Sequence, residues 1–152
     1  MALKGDRNYN DGVDISFFMD TTGERGGIVV AKTVASGAGM DNADAVVLYP
    51  TGDPSGEDNA VGLLLNDVVN YDLTKRHINK HRDEVQIGSK VAILRRGTVV
   101  TDMISGTPDG YKKAYFNSAG QLTETDTGTE TVGKFLSKKD SDGYAKVEIN
   151  IA

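Results

Sequence analysis

The chain predicts an all-β protein, a single compact β-barrel or sandwich of about ten short strands, and three observations carry that reading. Apolar segments of strand length recur about eight to twelve residues apart, separated by clusters of Gly, Pro, Asn, Asp and Ser. Several alternate apolar and polar side chains with the period of a half-buried strand. The 18 glycines, with no cysteine and no tryptophan, suit a chain of many turns, and no segment reads as a helix.

A length of 152 residues suits one domain, which at this size buries roughly two thirds of its unfolded surface. The lack of cysteine excludes disulfides and thiolate zinc sites, so stability must come from packing or association. A net charge of −5 argues against a general nucleic-acid binder, which needs an excess of Lys and Arg on some face. No apolar run reaches the roughly 18 to 20 residues of a membrane helix, and the N-terminus does not read as a signal peptide.

In chain order, residues 1–20 are polar and lack sustained periodicity, and they read as an extended N-terminal arm before a β-barrel domain at residues 21–152. Disorder is the plain alternative for the arm. Two adjacent phenylalanines are unusual in disordered chain, so Phe17, Phe18 and Met19 are the candidate anchor onto the domain or onto a partner. Residues 28–34, 45–49 and 61–65 are strand-length apolar segments, and residues 50–59, PTGDPSGEDN, are an exposed loop by composition. Residues 66–71 continue after a turn. Residues 72–83, DLTKRHINKHRD, are the most charged segment and lack an amphipathic stripe.

Residues 85–101, VQIGSKVAILRRGTVVT, carry the clearest strand pattern. Val85, Ile87, Val91 and Ile93 alternate with Gln86, Gly88, Lys90 and Ala92, and Arg95, Arg96 and Gly97 supply a turn, so the segment predicts a β-hairpin. Beyond it, residues 113–117 predict a strand, residues 118–120 a tight turn, and Gln121 and Leu122 the return. Residues 131–136 and 144–151 flank the turn KKDSDG, and in the last strand Tyr144, Lys146, Glu148 and Asn150 alternate with Ala145, Val147, Ile149 and Ile151. Closure into a barrel or sandwich removes the exposed edges that so many short strands would otherwise present.

The motifs that resemble catalytic or metal chemistry each lack a necessary part. GTETVGKF at residues 128–135 places Phe135 where a phosphate-binding loop needs a hydroxyl for Mg²⁺. His77 and His81 have metal-ligand spacing, but Lys75, Arg76, Lys80 and Arg82 surround them with positive charge. Asp140, Ser141, Asp142 and Gly143 resemble the start of a calcium loop, yet Tyr144 and a strand follow where further ligands belong, and Asp-Gly between strands is a hairpin signal. No nucleophile elbow is present. The reading is therefore no enzyme, no catalytic residues, no cofactor and no metal site. The cations Lys75, Arg76 and Arg82 are segregated within an acidic chain and suggest a surface oriented toward an acidic protein, with a solvated loop as the plain alternative. No aromatics interleave with them to stack on bases, which disfavours nucleic acid.

The order of segments through GLLLNDVV at residues 62–69, Asn79, Asp83-Glu84-Val85, Gly88, Lys90-Val91 and GTVVT at residues 97–101 resembles the small β-barrel head decoration, or cement, proteins of tailed bacteriophages. The resemblance continues through Gly110, residues 114–116, Gly120-Gln121-Leu122, Val132-Gly133-Lys134-Phe135 and residues 142–147, and covers residues 26–152. It implies a structural protein on the outer surface of the phage head that binds the major capsid protein and cements neighbouring subunits. It also implies a homo-oligomer, trimer favoured over dimer, with no nucleic-acid or membrane partner. Phe17, Phe18, Met19, Lys75, Arg76, Arg82, Arg95 and Arg96 are the expected contact residues. A virion-displayed carbohydrate-binding module is the alternative, weakened by the absence of tryptophan.

Overall fold

The computed structural model describes residues 9–10, 12–32, 46–52, 60–67 and 84–151, and among them every regular element is a strand. In order these are β1 (Tyr9–Asn10), β2 (Val13–Met19), β3 (Gly23–Glu24), β4 (Ile28–Ala31), β5 (Val46–Leu48), β6 (Ala60–Asp67) and β7 (Glu84–Val85). Then follow β8 (Lys90–Leu94), β9 (Arg96–Thr101), β10 (Lys113–Phe116), β11 (Leu122–Thr123), β12 (Gly133–Phe135) and β13 (Ala145–Asn150). The expected all-β class holds.

Two layers share these strands. A closed barrel runs β2-β5-β4-β6-β8, a six-stranded sheet runs β1-β9-β13-β12-β10-β11, and β3 pairs with β7 as a separate ribbon. Period-2 alternation gives the barrel strands two apolar faces. Met19, Val29, Val47, Leu64, Val91 and Ile93 pack together in one cluster, while Ile28, Val30, Leu63, Leu65 and Leu94 belong to a second. The second cluster joins Val99, Phe116, Leu122, Phe135, Val147 and Ile149 of the sheet, so the layers are fused by a common core. Burying each such side chain contributes about 1.5–3 kcal/mol, which makes this shared core the main term that holds sheet to barrel. Thr101, fully buried, adds a polar tie by donating its Oγ1 hydrogen to Gly26 O at 2.9 Å.

Two glycines are required by close approach. In β6 one extra residue, Val61, lies between the pairs Val29–Gly62 and Val30–Ala60, and a Cβ on Gly62 would sit 2.5 Å from Ile93 Cγ2 and Leu94 O. In β12 a Cβ on Gly133 would lie 1.9 Å from Glu148 O. Gly133 is the second glycine of the phosphate-loop look-alike, and it serves strand packing between β12 and β13.

Two sequence expectations change. Residues 85–101 do form strands, but β8 pairs with β2 and β6 while β9 pairs with β13 and β1, so they are not a hairpin. Arg95 is instead the corner at which the chain leaves the barrel for the sheet. The expected arm is also partly structural: β2 closes the barrel by pairing with β8 and, in parallel, with β5. Its strand pattern is obscured because a bulge falls between Asp14 and Phe17. The hairpins expected around residues 118–120 and KKDSDG are present as β10–β11 and β12–β13. In the second, Asp140 Oδ1 accepts hydrogen bonds from the backbone N–H groups of Asp142 and Tyr144, so its carboxylate braces the turn.

Candidate partner-binding surface

The Arg95 corner builds the candidate site. Arg95 N donates to Gly12 O at 2.8 Å and Ile151 N donates to Arg95 O at 2.8 Å, so three separate chain segments meet at one residue. Beside this junction the first half of β2 and the start of β8 open a groove of about 730 Å³, lined by Val13, Asp14, Ile15, Lys90, Arg95, Arg96 and Ile151 among others.

The groove combines apolar surface with positive charge. Val13 and Ile15 are 42% and 52% exposed, two of the few large apolar side chains that the described residues leave in solvent. Both line the groove, and neither belongs to the barrel core. Lys90, Arg95 and Arg96 rim them. The carboxylate within the groove, Asp14, accepts hydrogen bonds from Ser16 N and Ser16 Oγ across the bulge. These bonds, with a smaller contribution from the charge of Arg95, hold the Asp14 carboxyl below its usual range. Asp14 therefore stays ionised and partnered at neutral pH. An aliphatic patch ringed by cations can seat an aliphatic side chain flanked by carboxylates.

Of the residues expected at a partner contact, Arg95 and Arg96 line the groove. Met19 does not qualify, because it is fully buried in the barrel core. Phe17 is half-buried and packs against that same core, and Phe18, also half-buried, pairs with Lys90 and Val46 along the barrel wall. The anchor cluster is thus chiefly a folding element. Lys75, Arg76 and Arg82, and with them His77 and His81, lie outside the described residues. Sequence reasoning missed Val13 and Ile15 as surface residues. Their alternation with Asp14 and Ser16 carries that signal, but it is too short to stand out before the bulge.

Comparison with known proteins agrees with the sequence resemblance. A family model described as structural cement protein (E217 gp24/Pam3 gp6) matches residues 2–150. The match includes residues 2–25, which lie outside the resemblance read from the sequence. No curated protein matches the chain.

Proposed function

The chain belongs to the family of structural phage cement proteins, and from that premise we propose how it attaches. It is a structural protein of the virion, located on the capsid, where it binds capsid protein and stabilises the head. The carbohydrate-binding alternative finds no support in the family match. In our reading the protein carries out no chemical step. It docks on the outer surface of the major capsid protein through the groove beside Arg95, with Val13 and Ile15 as apolar anchors and Arg95 and Arg96 as orienting charges. The observation that carries this reading is the exposure of two aliphatic side chains on a strand whose other half is core.

A homotrimer, favoured over a dimer, would present three grooves at once, so that modest individual contacts add through effective concentration. Two measurements test the reading together. Native mass spectrometry should give a species of three 16.2 kDa chains. Co-sedimentation with bare heads, assembled from the major capsid protein of the phage that encodes this chain, should saturate and should raise the temperature at which the heads open. Absence of saturable binding rejects the capsid reading, and a monomeric or dimeric species rejects the trimer.

A further inference from the structure

The solvent face of the six-stranded sheet carries a second feature, which meets the groove only at Arg96. On its strands Arg96, Lys113, Lys134 and Lys146 are exposed, against a single exposed carboxylate, Glu148. Their alternation places them opposite the buried residues Val99, Ala114, Phe135 and Val147, on the outer face. The registers align Lys113 with Lys134, and Lys134 with Glu148, in one cross-strand row. Lys113 and Lys134, directly opposed across a strand pair, repel one another, and Glu148 offsets this only on the far side of Lys134, so an acidic partner would relieve what repulsion is left. In a chain of net charge −5 this concentration of cations on one face is a segregation of charge.

Tyr111 stands at the edge of this face. It is 72% exposed, and among the described residues it is the one non-glycine residue with a positive φ, 65°. Bulky side chains rarely adopt that conformation, and strain of this kind concentrates at functional positions. Lys134 Nζ lies 5.9 Å from the ring centroid, so cation and ring form one platform. The platform lies across β9, β13, β12 and β10 from the Arg95 corner, about 14 Å away at the usual strand spacing, and its distance along the strands adds to that.

We propose that this face is a second docking surface and that it takes an acidic segment of a capsid subunit next to the one held in the groove. One copy would then bridge two subunits. The partner's identity rests on the cement reading, while the preference for an acidic protein segment rests on the charge of the face. Glu148, which follows Lys134 in the same cross-strand row, puts a negative charge on this face, disfavours a continuous polyphosphate backbone and makes duplex DNA the poorer occupant.

Zero-length carbodiimide cross-linking of the full-length protein bound to bare heads tests this, since it joins a lysine amine only to a carboxylate in salt-bridge contact. The expected products link Lys113 or Lys134 to Asp or Glu of the capsid protein. The double variant Lys113→Gln, Lys134→Gln, which removes both charges without setting carboxylates opposite one another, should stay folded and bind heads about tenfold more weakly at low salt, with a smaller difference at high salt. The proposal is overturned if head-bound protein is linked only through other lysines and the double variant binds as wild type. Links from these lysines to a second copy of the chain, or duplex-DNA binding abolished in the double variant, would also overturn it. If the wild-type protein does not sediment with the heads at all, the cement reading itself fails, an outcome visible in the same samples.

Discussion

The two halves of β2 have similar apolar content and opposite fates. Phe17 and Met19 turn into the barrel, with Met19 fully buried, whereas Val13 and Ile15, a few residues earlier on the same strand, stand in solvent. The bulge between Asp14 and Phe17, tied by Asp14 to Ser16, separates the two regimes. The comparison teaches that hydrophobicity alone does not mark a contact surface. What marks it is apolar area that the fold leaves uncovered, beside charges that rim it.

The largest expected effect is on the buried half. Met19→Ala should destabilise the protein by about 2–5 kcal/mol in denaturant titration, because it empties a filled core site, while any folded fraction still binds heads normally. Equal loss of stability from Ile15→Ala would erase the distinction between the halves. On the exposed half, Ile15→Asp should leave the melting temperature unchanged and weaken head binding at least about tenfold. Charge reversal of Arg96 should weaken binding roughly three- to tenfold at low salt and less at high salt, as befits a rim charge, and a salt-independent loss would assign Arg96 to packing instead.

The smallest effect concerns the bulge. Asp14 has a lowered carboxyl pKa in the folded protein, so its contribution is present above the unfolded value of 3.8 and is lost as pH falls below it. Asp14→Asn should therefore be slightly less stable than wild type at neutral pH, with the difference shrinking in acid. Melting temperatures of both proteins across that range check the sign. A difference that grows on acidification would contradict the assignment.

Much of the fold was legible because alternation is local. Residues 145–150 show it without interruption, and the strands and turns of β10 through β13 follow from it. The pairing of β8 and β9 was not legible. Arg95, Arg96 and Gly97 look like a hairpin turn in isolation, but Gly12 and Ile151 hold Arg95 from distant parts of the chain and send the two strands into different layers. In the sequence β2 looks like an arm for a similar reason: its strand character depends on β8 and β5, and its bulge breaks the period. Arg95 and Arg96 were legible as contact candidates because they are charges at a turn. The aliphatic part of the groove needed the tertiary structure, which decides what stays uncovered.

Which face of the protein meets the head is seen most directly in the decorated head itself. A cryo-electron map of bare heads decorated with the wild-type protein should show capsid-protein density packed against Val13, Ile15 and Arg96, with Phe17 and Met19 still enclosed in the barrel. Density that engages the protein elsewhere and leaves the groove beside Arg95 facing solvent would contradict docking through that groove.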